Sequence, residues 1–324
     1  MKKIEKAIAY EPTFEEDVRK GLTVYPKYLL SKYIYDQKGD KLFQQIMDMP
    51  EYYLTRSEFE ILRKNTQAIS EIFNGKDGFD LIELGAGDGK KTKLLLRYLN
   101  QENINFSYLP IDISPSVLQE LVTSLKEELP TVEVKAQRGT YFKTLQKLSN
   151  YNSRKKVIIV LGSNIGNLHH KDAIDFLKNI RYAMEQEDIL FMGFDQKKSP
   201  QKILDAYSDS EGITEAFNKN LLIRINSELD ANFKTDSFLH WETYDPESGT
   251  AKSFLVSKLN QKVKIKALNL EVQFHAWETI HTEISQKYDD KVVNWLAREA
   301  GLQVETSFTD KEKYYKNYIF KIDY

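Results

Sequence analysis

The chain has 324 residues, more than one hydrophobic core usually needs, so either two domains or one domain with an insertion is expected. A formal net charge of −2 excludes a strong basic field for nucleic acid, and the absence of cysteine excludes disulfides and thiolate nucleophiles. The first 20 residues lack the apolar segment of a secretory signal, and no apolar run is long enough to span a bilayer. We therefore expect a cytoplasmic protein that binds neither membrane nor nucleic acid.

The first 60 residues are typical of helices separated by loops. Gly21 predicts the end of a short amphipathic helix, and Pro50 predicts the end of a second one. A third helix is predicted to begin at a capping box formed by Ser57 and Glu60.

Strands and helices alternate along the next part of the chain. The main predicted strands cover residues 80–84, 106–113, 155–163 and 188–195. A shorter strand and a helix are predicted between residues 132 and 149. The unbroken apolar run at 155–163 is typical of a buried parallel strand. This order predicts a doubly wound parallel sheet with helices on both faces.

The pattern changes after residue 195. Residues 199–229 are predicted to be helical, and residues 240–285 to form an antiparallel meander with turns at Pro246–Gly249 and Asn260–Gln261. A helix ending at Gly301 and two strands follow. We predict an α/β protein, with a doubly wound sheet built from residues 61–195 and 286–324. An additional α+β domain would be built from residues 1–60 and 196–285.

A glycine-rich loop joins the first strand of this sheet to its helix. Its spacing is G-x-G-x-G, at Gly85, Gly87 and Gly89. Glycine permits a positive φ and a close approach of backbone to ligand, and this turn usually carries a nucleotide-like cofactor. Lys90 stands where the dinucleotide fingerprint requires its third glycine, which disfavours a nicotinamide dehydrogenase. Glu83 precedes the loop, and Asp112 ends the second strand.

An acid, G-x-G-x-G and a second acid resemble the pattern of class I S-adenosylmethionine methyltransferases. Five further segments resemble, in order and spacing, the histidine-specific Nα-methyltransferases. They are YYLTRSE (52–58), LGSNIGN (161–167), AYSDSEGITEAFNKNLL (206–222), INSELDANF (225–233) and IHTEISQKY (280–288). That family forms Nα-trimethylhistidine, or hercynine, on the route to ergothioneine. The resemblance implies S-adenosylmethionine as cofactor, an amino acid as substrate and no metal, and we expect a monomer.

The resemblance also implies a set of cofactor-binding residues. They are Tyr35, Gly85, Gly87, Lys91, Asp112, Thr140 and Tyr141. Asp112 is suited to accept hydrogen bonds from two ribose hydroxyls. Thr140 stands where the family commonly has an aspartate facing the adenine amino group, so weaker cofactor binding is expected. Lys91 could instead be an ordinary solvated charge.

Three residues would hold the reacting end of the amino acid and act in catalysis. The resemblance places Tyr35 near the substrate amine, and Asn167 and Tyr207 at the substrate carboxylate. Methyl transfer mainly requires that the amine be positioned, and an α-amino group of pKa about 8 is partly neutral near pH 7. A strong general base is therefore not required. Asn167 could instead cap the following helix.

The remaining substrate residues would hold the imidazole ring. The resemblance implies that Tyr52 packs against the ring while Glu283 and Ser285 hydrogen-bond its nitrogens, which would exclude rings lacking that pattern. Ser253 stands where the family has a methionine thought to touch the ring, and Asn164 replaces a usual threonine. Both changes alter the pocket, so histidine is the favoured substrate of the family pattern but another ring is not excluded.

Several alternatives stay open at this point. Glu283 could be a solvent-facing residue of a strand, and each tyrosine could be a core residue. The substrate could be another amino acid or amine, such as a tryptophan derivative, or the protein could be a non-catalytic cofactor-binding module. His281 lies beside Glu283, but the five histidines have no metal-ligand spacing, so no metal site is predicted.

Overall fold

The computed structural model describes residues 12–141, 144–145 and 154–323, which fall into two compact units. The core unit comprises Tyr53–Lys198, Pro246–Gly249 and Ser285–Tyr324. The accessory unit comprises Met1–Tyr52, Ser199–Asp245 and Thr250–Ile284. Most of the helix predicted near residues 142–149 lies outside the described residues. In the described ranges, no helix has the length and apolar character that crossing a membrane requires.

The strands of the described residues are numbered in chain order. They are β1 Lys27–Tyr28, β2 Phe79–Leu84, β3 Phe106–Asp112, β4 Glu133–Val134, β5 Gln137–Arg138, β6 Lys155–Val160, β7 Ile189–Asp195, β8 Phe238–Asp245, β9 Thr250–Ser257, β10 Gln261–Ile265, β11 Leu270–Phe274, β12 Thr279–Gln286, β13 Leu302–Thr309 and β14 Tyr315–Ile322. The helices are Phe14–Thr23, Gln37–Asp48, Tyr53–Phe73, Thr92–Gln101, Pro115–Glu128, His170–Ala183, Pro200–Tyr207, Ile213–Glu228 and Asp290–Glu299.

The core unit is built on one large sheet with the strand order β13-β14-β7-β6-β2-β3-β4, and β5 also pairs with β3. Strands β2, β3, β6 and β7 are parallel neighbours, whereas β14 is antiparallel to β7 and to β13. The chain enters the sheet at β2, moves outward through β3 and returns to β6 on the other side. Ligands bind at such a switch point, beyond the carboxyl ends of the strands. The predicted doubly wound sheet is confirmed.

Both faces of this sheet are covered, because successive strand residues point in opposite directions. Leu81 and Val157 belong to a core on one face, and their neighbours Ile82 and Ile158 belong to a core on the other. All four are fully buried. This burial explains why the central strands have continuous apolar runs rather than alternating ones.

The accessory unit contains a four-stranded sheet of order β1-β12-β9-β8, a separate hairpin of β10 and β11, and helices. The predicted meander is therefore wrong in part. β10 pairs with β11, while β9 lies between β8 and β12, so the turn at Asn260–Gln261 does not join paired strands. The β1–β12 pairing, which is parallel, is between segments far apart in sequence and has no local signal.

Two predicted helix ends are also wrong. The third helix begins at Tyr53, and Ser57 is a buried residue within it whose hydroxyl bonds to Asp310 at 3.3 Å, so it forms no capping box. Gly21 lies inside the first helix, which ends at Thr23. A side chain at Gly21 would collide with the carbonyl oxygen of Tyr28, so glycine is needed there for packing.

The boundaries of the two units differ from those expected. The first falls before Tyr53 rather than after residue 60, because the helix Tyr53–Phe73 belongs as a whole to the core unit. The segment Pro246–Gly249 also belongs to the core unit, where the carbonyl oxygen of Gly249 accepts a hydrogen bond from the Lys287 amide at 2.7 Å.

Candidate functional site

The three glycines of the loop after β2 all have a positive φ, of +75°, +53° and +65° in chain order. They differ in what surrounds them. A Cβ at Gly85 would lie 2.6 Å from the Tyr141 hydroxyl, and one at Gly89 would collide with Leu121. No atom lies within 4 Å of a Cβ placed at Gly87. At Gly85 and Gly89 a neighbouring side chain would thus have to move to admit a Cβ, whereas Gly87 borders open space in which a ligand can approach the backbone.

Asp112 lies at the carboxyl end of β3, beside this loop. Its carboxylate accepts hydrogen bonds from the Ser114 amide at 2.9 Å and, at the limit of bonding distance, from the Gly87 amide at 3.5 Å. The side chain is only partly buried. These contacts fix the carboxylate at the mouth of the loop, where it can accept hydrogen bonds from a bound ligand.

Thr140 and Tyr141 follow β5, and Thr140 is exposed while Tyr141 is partly buried. Burial, followed by the negative charges of Asp112 and Glu83, raises the pKa of the Tyr141 phenol to about 12. Tyr141 therefore keeps its proton at neutral pH and can donate a hydrogen bond near Gly85.

Glu83 is buried at the end of β2. Its carboxylate accepts hydrogen bonds from the Thr92 hydroxyl at 2.6 Å and from the Tyr108 hydroxyl. Burial raises its pKa to about 7, and these two hydrogen bonds oppose the rise. Glu83 thus connects the strand before the loop to the helix after it, which is a structural role.

Lys91 is the N-cap of the helix after the loop and contacts Glu58, a residue for which the sequence suggested no role. Glu58 is fully buried and accepts hydrogen bonds from the Lys91 ammonium at 2.5 Å, the Gly162 amide at 2.8 Å and the Asn317 side chain at 2.8 Å. Lys91 is therefore held in an ion pair and is not simply solvated. The signal that could have identified Glu58 is its position in the YYLTRSE segment, where a carboxylate has no local helical partner.

Asn164 and Asn167 lie on a short 3₁₀ turn directly after β6, entered through Ser163 with a φ of +58°. Both asparagines are exposed. The next helix begins at His170 with His169 as its N-cap, so Asn167 does not cap it. Because β6 and β2 are parallel neighbours, this turn and the glycine loop lie at the same edge of the sheet.

In the accessory unit, three predicted site tyrosines belong to one aromatic cluster. The Tyr35 ring meets Phe43 and Phe217 at centroid distances of 5.6 and 5.4 Å. The Tyr52 ring lies 6.4 Å from Phe43 and 6.3 Å from Tyr207. The contacts are edge-on, the arrangement favoured by the charge distribution of aromatic rings. The structure therefore places in one cluster Tyr35 and Tyr207, which are 172 positions apart in the sequence.

Glu283 lies close to this cluster. Burial of Tyr35, followed by the charge of Glu283 and smaller effects of Tyr52 and Tyr207, raises the pKa of the Tyr35 phenol well above its ordinary value. The residue as a whole is 37% exposed, although the surroundings of its phenol are crowded. Glu283 is itself partly buried, on the face of β12 opposite to Thr282, and does not point into open solvent.

The two predicted substrate serines have different surroundings. Ser253 is buried and its hydroxyl bonds at 2.6 Å to Glu242, which lies directly opposite on β8. Ser285 belongs to the core unit, where its hydroxyl accepts a hydrogen bond at 2.7 Å from Lys287, a buried residue paired with Asp195 at 2.9 Å. Contacts of either serine with a substrate remain predictions.

Within the described ranges, no group of three or more histidine, aspartate or glutamate residues is placed to hold a metal ion. His281 packs on Phe254, with ring centroids 5.4 Å apart.

The fold matches the class I methyltransferase arrangement that the sequence resemblance implies. β14 is an antiparallel strand between β7 and β13, the glycine loop follows β2, and Asp112 ends β3. The family model for histidine-specific, S-adenosylmethionine-dependent methyltransferases matches residues 14–322. The chain belongs to that family and is an S-adenosylmethionine-dependent methyltransferase.

Three curated relatives illustrate the range of this similarity. Histidine N-alpha-methyltransferase of Mycolicibacterium smegmatis is 36% identical over 295 residues, covering 91% of this chain and 90% of that protein. Ergothioneine biosynthesis protein 1 of Schizosaccharomyces pombe is 28% identical over 298 residues, covering 90% of this chain and 38% of that longer protein. A 4-dimethylallyltryptophan N-methyltransferase of Penicillium roqueforti is 24% identical over 306 residues, covering 90% of this chain and 89% of that protein.

Proposed function

We propose that this enzyme methylates the α-amino group of histidine up to three times, forming Nα,Nα,Nα-trimethylhistidine for ergothioneine synthesis. The observation that carries the proposal is the cluster of Tyr35, Tyr52 and Tyr207 beside Glu283, which supplies phenols for an amino acid and a carboxylate for a ring N–H. The proposal is supported by the Mycolicibacterium smegmatis relative, which is named histidine N-alpha-methyltransferase and is 36% identical to this chain. We propose that the enzyme acts as a cytoplasmic monomer on a small molecule, without metal, membrane or nucleic acid.

The core unit is suited to hold the cofactor. S-adenosylmethionine, when bound, supplies an electrophilic methyl group. The open space at Gly87 and the Asp112 carboxylate beside it fit an adenosine group with two ribose hydroxyls. Lys91 would hold the cofactor as part of its pair with Glu58, and Gly85, Thr140 and Tyr141 would complete this half of the site. Because Thr140 carries no charge, we expect a lower affinity for S-adenosylmethionine than an aspartate at this position would give.

The substrate residues would position a neutral amine rather than remove its proton. Tyr35 keeps its proton at neutral pH, so it would not act as a base. The oxygen of a neutral phenol can still accept a hydrogen bond from the amine. Asn167 and Tyr207 would hold the carboxylate with amide and phenol donors. Alignment of the amine with the methyl carbon then lowers the barrier without a strong base.

The ring-binding residues would determine specificity. Glu283 accepts from an imidazole N–H, Ser285 bonds to the other ring nitrogen, and Tyr52 packs on the ring face. A ring without these groups could not donate a hydrogen bond to the partly buried Glu283 carboxylate, which disfavours the binding of such a ring. Ser253, bonded to Glu242, would border the ring without a contact that selects imidazole.

The test is mass spectrometry of products after incubation with S-adenosylmethionine and a mixture of the common amino acids. We expect one to three methyl groups on histidine alone. We also expect Glu283→Ala to lower histidine affinity by about 1–3 kcal/mol, because a buried hydrogen bond is lost.

Other products would change the proposal in defined ways. Methylation of another amino acid or amine would retain the enzyme class and overturn the substrate. Cofactor binding without any product from this mixture or from tryptophan derivatives would indicate a non-catalytic module.

A further inference from the structure

The helix Ile213–Glu228 carries two asparagines, Asn218 and Asn220, that are both fully buried. Asparagine is a weak helix former, and a buried amide is unfavourable unless it is hydrogen-bonded. Both belong to the AYSDSEGITEAFNKNLL segment, yet neither has a role in the site described above. Their hydrogen bonds indicate what these residues do.

Asn220 holds the backbone on both sides of Tyr35. Its side-chain amide donates to the carbonyl oxygen of Ile34 at 3.1 Å and to the carboxylate of Asp36 at 2.8 Å. The same Asp36 oxygen caps the helix Gln37–Asp48 by accepting from its first amides. Tyr35 therefore sits between two residues that are both fixed by one buried side chain.

Asn218 makes the corresponding contact next to Glu283. Its side-chain oxygen accepts a hydrogen bond from the Thr282 hydroxyl at 2.6 Å, and its amide donates to the Thr214 carbonyl at 3.2 Å. The Thr282 hydroxyl also lies 3.1 Å from the carbonyl oxygen of Ser253 on the neighbouring strand. Thr282 and Glu283 are consecutive in β12, so fixing one restricts the other.

We propose that Asn218 and Asn220 are positioning residues: Asn220 fixes Tyr35 for the amine, and Asn218 fixes Glu283 for the substrate ring. The same helix reinforces this placement, because Phe217, the residue before Asn218, packs edge-on against the Tyr35 ring at a centroid distance of 5.4 Å. The roles of Tyr35 and Glu283 rest on the proposed function, whereas their placement by the two asparagines can be measured without any substrate.

The first experiment follows Tyr35 directly. Protein labelled with ¹³C at the tyrosine ring carbons is examined by NMR, and the Tyr35 signal is assigned from Tyr35→Phe. Asn220→Leu is expected to shift or broaden that signal. The matched control is Asn226→Leu in the same helix, because Asn226 exchanges two hydrogen bonds of 2.8 Å with the Phe233 backbone and touches neither Tyr35 nor Glu283 in the contacts described.

A Tyr35 signal that stays unchanged in Asn220→Leu, or that changes equally in the Asn226 control, would overturn the role of Asn220. If Asn220→Leu does not fold, Asn220→Ala removes the same donated hydrogen bonds without adding apolar volume. This experiment needs no activity, so failure of the proposed substrate does not affect its outcome.

The second experiment uses double-mutant kinetics with histidine. Asn220→Leu is expected to lower kcat about tenfold or more by misplacing the amine, and Asn218→Leu to raise KM for histidine. If Asn220 acts through Tyr35, the effect of Asn220→Leu on kcat should shrink to about twofold or less in a Tyr35→Phe background. If Asn218 acts through Glu283, the effect of Asn218→Leu on KM should shrink as much in a Glu283→Gln background. Thr282→Ser should retain parental KM, whereas Thr282→Val should match Asn218→Leu.

Effects that simply add in the double variants would overturn the proposal and leave both asparagines as general stabilisers of the fold. A parent enzyme that methylates no histidine would instead refute the proposed function, and the NMR comparison would then decide the positioning role alone.

Discussion

Replacing Glu58 by glutamine tests how strongly the ion pair with Lys91 supports the core unit. The change keeps the side-chain volume but removes the charge from a fully buried group that accepts three hydrogen bonds. A carboxamide has one acceptor oxygen, so at least one of the three donors loses its partner. Because the Lys91 side chain is 21% exposed and can be partly solvated, we expect a loss of about 2–3 kcal/mol in the free energy of unfolding.

The assay is urea-induced unfolding, with Glu60→Gln as the matched control on the same helix. Glu60 pairs with the exposed Lys64 one turn along, so its replacement should change stability by no more than about 0.5 kcal/mol. Calorimetry should also show weaker binding of S-adenosylmethionine to Glu58→Gln, because Lys91 loses the group that holds it. If Glu58→Gln is as stable as the control, the energetic argument is wrong.

Three further predictions concern the glycine loop and its surroundings. The pKa of Glu83 is raised from 4.5 to about 7 in the folded protein, so the unfolded chain loses this proton at lower pH than the folded protein does. Between pH 4.5 and 7 the free energy of unfolding should therefore fall by about 3 kcal/mol relative to Glu83→Gln, as measured by unfolding at several pH values. Asp112→Asn should weaken cofactor binding by about tenfold or more in calorimetry, since hydrogen bonds to a charged acceptor are lost; unchanged binding would remove Asp112 from the site. Thr140→Asp should strengthen cofactor binding while KM for histidine stays constant, and weaker binding would contradict the role given to this position.

Much of the core unit could be predicted because its signals are local. Each parallel strand is a short apolar run followed by a helix, and connections of this kind are almost always right-handed, which limits the possible strand orders. The glycine loop and Asp112 could be identified by spacing alone. Their positions relative to strand ends then follow from the geometry of a parallel sheet.

Other features could not be predicted because they depend on partners far away in the sequence. Glu58 bonds to Gly162, 104 residues on, and Asn220 bonds to Ile34, 186 residues back. The capping-box prediction at Ser57 failed for the same reason. Its residue pattern was correct, but the helix begins earlier and the serine meets a buried aspartate 253 residues away.

The meander prediction failed because alternation identifies strands but not their neighbours. Residues 240–285 do form strands, yet β9 pairs with β12 and β8 while β10 and β11 pair with each other. Tyr35, Tyr52 and Tyr207 could be predicted to share a site only because the family resemblance names all three. Periodicity alone gives no reason to group Tyr35, Tyr52 and Tyr207.

The three glycines after β2 offer a way to separate folding from ligand recognition by single substitutions. Alanine at Gly85 or Gly89 would press against Tyr141 or Leu121 whether or not a ligand is present, and would be expected to lower the yield of native protein. Alanine at Gly87 meets no protein atom, so beyond a backbone strain of about 1 kcal/mol its steric effect falls on whatever occupies the adjoining space. We therefore expect Gly87→Ala to remain folded while binding the cofactor more weakly, which would make it a useful comparison for the parent enzyme.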